Sequence, residues 1–461
     1  MVFSSISFIY YFLPCLLIAY FIVPKKFRNF VLFISSVVFY MYGEPKFVYI
    51  MLLDILIAYI SGRLMEKYNK KIILSFSVSI ILTILFIFKY FDFAIFNINQ
   101  ILNTNISLLN IALPIGISFY TFQIISYLID VYRETVKPQK SFLKLATYIS
   151  MFPQLIAGPI VRYETIEKQL DSREYNLEKF SIGVRRFIIG LSKKVLIANA
   201  LGEFCTIFSS ANEKTIILTW AYGIAYSLQV YFDFSAYSDM AIGLGKILGF
   251  EFLENFDYPY VSKSITEFWR RWHISLGTWF RDYVYFPLGG SRVSKTKLIR
   301  NLLVVWFLTG LWHGANWNFI IWGLLFFVFL ILEKIVLKNV LEKMPKIACR
   351  VYVLFIVMIS FIIFNANNMH EAYKNIIGLF GGNGESIINN YTIYYLKNYF
   401  VILLIAIIGA TPLMKNVVEK IKVKMPKFIN LLEPVVLASL LIIVTAYLVD
   451  NSYNPFLYFR F

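Results

Sequence analysis

Long apolar stretches separated by short polar connections recur along the whole chain. Residues 72–88, 351–364, 399–408 and 435–448 are dominated by Ile, Leu, Val, Phe and Tyr. A helix that crosses a hydrocarbon core of about 30 Å needs about 20 largely apolar residues, and several of these runs reach that length with their flanks. Strand-length segments of alternating polarity are absent, so the pattern predicts helices rather than a barrel. It predicts about eleven membrane segments, several of them short or broken.

Composition supports this reading. Apolar residues make up 59% of the 461 and charged residues 15%, against the roughly 45–50% apolar content usual for soluble domains. The formal charge of +17 does not point to nucleic acid, because the Lys and Arg residues sit mostly in short loops between apolar runs. The clusters led by Lys25, Arg63, Arg133, Lys334 and Lys415 are strongly basic, while the connections 43–46, 89–110 and 369–390 are not. Alternation then places the basic clusters in the cytoplasm and the N-terminus outside. The first cations, Lys25, Lys26 and Arg28, follow the first apolar run, as in a reversed signal-anchor and not a cleaved signal peptide. Cys15, Cys205 and Cys349 are far apart, which predicts neither a disulfide framework nor a metal site. The expected fold is an all-α polytopic membrane protein with short re-entrant or interfacial helices. Its single integrated membrane domain comprises N-terminal helices (1–110), a core (111–335) and C-terminal helices (336–461).

The middle of the chain departs from simple spans. Residues 151–161 (MFPQLIAGPIV) place two prolines and a glycine in an apolar stretch, and such backbone at membrane depth must be buried in protein or line a cavity. All eight tryptophans lie between Trp220 and Trp322, as do two of the three histidines. Residues 264–292 carry Glu267, Arg270, Arg271, His273, Arg281 and Asp282, too much charge to cross lipid unaided. This segment is either an interfacial amphipathic helix with snorkelling arginines or a dip into a protein-lined cavity.

Residues 300–333, about 34 in number, are short for two spans and a turn. Gly310, Gly314 and Asn316 mark the expected break. His313 then lies about 20 Å along a helix from Arg300, deep in the membrane region. Intramembrane ionisable groups generally face a cavity and mark function. A neutral imidazole takes a proton from a hydroxyl and returns it; the alternative is a buried histidine hydrogen-bonded to a neighbouring helix. Trp312 and Trp317 are candidates to shape a narrow cavity. Asp233, Ser235, Ser238 and Asp239 either polarise a reacting group or hydrogen-bond between helices. No GxSxG, P-loop, HExxH or well-placed GxGxxG competes.

The stretches FYTFQIISYLIDVYR, FPQLIAGPIVRY, DFSAYSDMAIGLGKILGF, FWRRWHISLGTWFRDYVYFPLGGSR and LTGLWHGANWNFIIWG together resemble the bacterial membrane-bound O-acyltransferases. The likeness is greatest to the branch that contains the alginate O-acetylation protein, with the teichoic-acid D-alanyl transfer protein a nearby relative. It runs through roughly residues 119–323, and the closing PFLYFRF is also similar. The resemblance implies helices around a narrow tunnel or pair of funnels, with His313 and His273 matching the family's two characteristic histidines. It implies acyl transfer from a cytoplasmic donor to an external acceptor, often with a hydrolase-like partner protein. In the acetylating branch the donor is acetyl-CoA, used as a substrate with no tightly bound cofactor; in the D-alanyl branch it is a thioester on a carrier protein.

The two lines combine into one expectation: a multi-pass protein of the bacterial cell membrane that O-acetylates an extracytoplasmic polysaccharide. His313 is its expected general base, and His273 helps receive the donor. Arg270, Arg271 and Arg281 either attract a CoA or an acidic carrier or pair with Glu267 and Asp282. Two rivals are D-alanyl transfer to teichoic acid and a non-enzymatic transporter with a polar path through broken helices.

Overall fold

The computed structural model describes residues 1–450, and the closing PFLYFRF lies outside the described residues. All regular structure among the described residues is helical. Five helices are long and apolar enough to cross a membrane: Lys70–Lys89, Trp317–Ile335, Lys346–Asn365, Asn390–Gly409 and Pro426–Val449. Four of them contain the apolar runs that the sequence marks as spans. Ser7–Ile22 is apolar but shorter. The chain is a multi-pass membrane protein.

Polar residues set several helix starts. The Asn69 side chain accepts from the backbone N–H groups of Lys71 and Ile72 and opens Lys70–Lys89. Asn389 does the same for Asn390–Gly409 through Thr392. Each supplies an acceptor to donors that have no partner within the helix.

The described residues form two compact units, 1–187 with 238–253 and 188–237 with 254–450. In the first, the Arg28–Gly43 helix packs on Phe142–Ser150, and Val48–Leu64 packs on Ile117–Tyr132. The irregular 151–161 stretch is wholly buried here, and several of its polar groups find protein partners. Phe152 N donates to Ser36 Oγ at 3.2 Å, Gln154 Nε2 to the Tyr148 carbonyl, and Tyr148 Oη to the Val161 carbonyl at 2.9 Å. These bonds satisfy part of the irregular backbone internally, as a lipid surround requires. The same unit holds Asp54, Tyr120 and Gln123 fully buried, with neither Asp54 oxygen hydrogen-bonded among the described residues.

The second unit carries the tryptophan-rich segment. Its core joins aromatic residues such as Phe268, Trp272, Trp322 and Phe361 with aliphatic ones such as Leu218 and Ile265. The 32-residue helix Ile216–Ile247 gives its first two-thirds to this unit and its last turns to the other.

Candidate active site

Lys295–His313 and Trp317–Ile335 form a helical hairpin broken at residues 314–316. Gly314 and Asn316 lie at this break as expected. Gly310 does not: it is inside the first helix. Its role is contact rather than chain reversal, since a Cβ there would stand 2.5 Å from the Phe319 carbonyl oxygen. Across the hairpin, a Cβ on Gly323 would stand 2.4 Å from the Trp306 carbonyl oxygen. The two glycines let the helix backbones touch.

This close packing sets the position of His313, the last residue of its helix. The imidazole is buried and meets three aromatic rings edge to face. Ring centres lie 5.0 Å away at Trp312, 4.9 Å at Trp322 and 5.3 Å at Phe364. Phe364 comes from the Lys346–Asn365 helix. Asn318 Nδ2 ties that helix to the hairpin by donating to the Ala366 carbonyl at 2.7 Å. The base candidate thus sits in an aromatic box drawn from three helices.

His273 approaches from a different element. Residues 264–292 do not form one amphipathic helix: they break into Ile265–Arg271, Ile274–Phe280 and the π-helical turn Arg281–Tyr285. Tertiary anchors break the segment. Glu333 on the hairpin accepts from Ile265 N at 2.5 Å, Thr266 N at 2.9 Å and Thr266 Oγ1 at 2.8 Å. The two amides are free ends of a helix start, and Ser264 adds a further cap through Glu267 N. His273 then takes a left-handed backbone, φ 45°, a conformation uncommon for a residue with a side chain.

The His273 ring is fully buried, against Phe234 at 4.6 Å and Trp312 at 5.9 Å between ring centres. It lies outside the helices long enough to span. Burial, and next the nearby His313, hold its imidazole well below the usual 6.5, so it is neutral at ordinary pH. Trp312 touches both imidazoles. The structure therefore brings His273, His313 and Trp312 together within one unit.

Other candidates are placed differently. Trp317 is half exposed at the start of its helix, and Trp322 is the ring that packs on His313. Asp233 forms a buried ion pair with Lys194, 2.6 Å apart. Ser238 and Asp239 belong to the first unit, where Asp239 accepts from Arg186 Nε at 3.0 Å and Nη2 at 2.9 Å. Arg271 is paired with Asp257 at 2.7 Å and Glu267 at 3.0 Å. Arg281 is paired with Asp282 at 2.7 Å, and Arg270 is exposed. Asn255, Glu333, Lys194 and Trp322 went unmarked in the sequence. Only Trp322 carried a signal, its place in the same tryptophan-rich motif.

Two buried, neutral-capable imidazoles at broken helices can exchange protons with a reacting hydroxyl. The model of the membrane-bound O-acyltransferase family matches residues 137–370, which include both histidines. This chain belongs to that family. Over 389 residues the membrane-bound O-acyltransferase is 40% identical to the probable alginate O-acetylase AlgI of Azotobacter vinelandii, covering 82% of this chain and 78% of the relative. It is 33% identical over 428 residues to the peptidoglycan O-acetyltransferase of Helicobacter pylori, covering 84% and 81%. It is 31% identical over 223 residues to the teichoic acid D-alanyltransferase of Bacillus subtilis, covering 46% and 56%. The protein is an O-acyltransferase.

Proposed function

We propose that this acyltransferase moves an acetyl group from cytoplasmic acetyl-CoA to a hydroxyl of an extracytoplasmic polysaccharide, directly or through a serine of a hydrolase-like partner. The observation that carries the reading is the buried meeting of His313 and His273 around Trp312. The similarity to two O-acetylating proteins over four-fifths of the chain supports the acetyl group. The cell membrane of a bacterium is the expected location.

In this reading the acceptor oxygen attacks the thioester carbonyl carbon as His313 takes the hydroxyl proton. The tetrahedral oxyanion collapses, the C–S bond breaks, and the thiolate takes the proton from the imidazolium. General-base help of this kind is worth typically 10²–10⁴-fold. Excluding water from the aromatic box protects the thioester from hydrolysis.

The test is ester-linked acetate on surface polysaccharide in cells carrying wild type, a deletion, or His313→Ala at matched membrane expression. Loss in both mutants supports the pathway and the base together. Loss in the deletion alone removes His313 from the mechanism. Loss of D-alanine esters in place of acetate replaces the acetyl reading with D-alanyl transfer, and solute movement that survives His313→Ala without acylation indicates a transporter.

A further inference from the structure

The polar environment of His273 determines which ring nitrogen carries its proton. Asn255 Oδ1 lies 2.9 Å from Ser275 Oγ, 3.2 Å from Ser275 N and 3.3 Å from His273 Nδ1. A backbone N–H can only donate, so the Asn255 atom that faces Ser275 N is the amide oxygen and not the NH2 group. That oxygen can only accept. The His273 nitrogen facing it must therefore be Nδ1–H, which in a neutral ring leaves the lone pair on Nε2.

Nε2 is buried without a hydrogen-bond partner among the described residues. An unmet buried acceptor destabilises the fold. The left-handed backbone of the same residue adds a second cost. Two costs at one residue, beside Trp312, point to a role other than stability. Asn255 is itself held by chain geometry, since its carbonyl accepts from Ile274 N at 3.0 Å.

We propose that Asn255 is a positioning residue that locks His273 as the Nδ1–H tautomer, so that Nε2 accepts a hydrogen bond from an N–H or O–H group of a bound reactant. This rests on the reading of the His273–His313 region as the acyl-transfer site. It assigns the histidines different tasks: His313 moves the proton, while His273 receives a hydrogen bond and orients the reactant. In this tautomer His273 offers no N–H toward the reactant and does not stabilise the oxyanion.

The test is ¹⁵N magic-angle-spinning NMR of full-length protein, labelled at histidine and held in lipid nanodiscs. The chain has three histidines, so His313→Gln and His370→Gln leave the His273 signals identified by elimination. The expected wild-type spectrum shows a neutral ring protonated at Nδ1. Asn255→Asp, whose carboxylate only accepts, keeps Nδ1 protonated, whereas Asn255→Leu shifts the population toward Nε2–H. Acyl turnover falls about tenfold or more in Asn255→Leu and is at least partly retained in Asn255→Asp. A wild-type ring protonated at Nε2 overturns the proposal without any variant, and so does an unchanged tautomer in a folded Asn255→Leu protein. The spectrum does not depend on the acyl donor, so failure of the acetyl reading shows separately, as absent acetate esters.

Discussion

Lys194 Nζ and Asp233 Oδ1 stand 2.6 Å apart with both side chains almost wholly shut off from the surroundings. Lys194 belongs to a π-helical turn, Lys193–Ala198, of the kind often found where a helix is shaped for a local task. A charge pair this deep is bound by mutual need: removing one partner leaves the other stranded at about 3–5 kcal/mol. Lys194→Met and Asp233→Asn are each expected to lower the melting temperature of the purified protein sharply. The double replacement Lys194→Met with Asp233→Leu is expected to recover most of the loss. Stability recovered without acyl transfer would give the pair a part in the reaction as well.

Backbone contact across the His313 hairpin makes a second expectation. Gly323→Ala sets a methyl group 2.4 Å from the Trp306 carbonyl oxygen, a backbone atom that cannot swing aside. The helices must separate, at about 1–3 kcal/mol of overpacking. Because His313 packs on Trp322, the box around it shifts too. A combined fall in melting temperature and turnover checks this, and an unaffected Gly323→Ala protein would contradict the close packing.

Glu333 offers a third. It receives three hydrogen bonds at the start of Ile265–Arg271, and bonds to charged groups are worth about 1.5–3 kcal/mol each. Glu333→Ala should release the segment leading to His273. Hydrogen–deuterium exchange would rise first at the Ile265 and Thr266 amides, with turnover falling in parallel. Unchanged exchange there would show that Glu333 does not hold the helix start.

Asp54 presents the opposite case. Its two oxygens are buried and unbonded among the described residues, so its carboxylate gains nothing from its neighbours to offset desolvation. Asp54→Asn should leave the melting temperature unchanged or raise it by a few degrees. If the variant folds but loses acyl transfer, the carboxylate is retained for the reaction, as intramembrane acids often are.

Membrane spans were legible because length and apolarity suffice to define them, and four runs read from the sequence fall within four of the helices. The hairpin break at Gly314 was legible for a similar reason, since glycine there ends a helix locally. Gly310 misled because its purpose is contact with Phe319 across the hairpin, which local propensity does not encode. The 264–292 segment left two readings open for the same reason. Its breaks depend on Asn255 and Glu333, 18 and 68 residues from their partners His273 and Ile265. His313 stood out because an ionisable group in an apolar run is costly. Asn255 did not, because an asparagine within a loop looks ordinary until its amide is oriented by Ser275.

The first compact unit draws on residues 1–187 and then on 238–253. During synthesis it therefore waits, incomplete, while residues 188–237 emerge. The second unit likewise begins with that inserted stretch and is finished only by the chain after 253. Neither half closes before the other has started. A ribosome stalled between residues 187 and 238 would leave the bilayer holding an unfinished first unit, open where residues 238–253 belong. Cutting the gene there would give two fragments that must be made in the same membrane to yield an active enzyme.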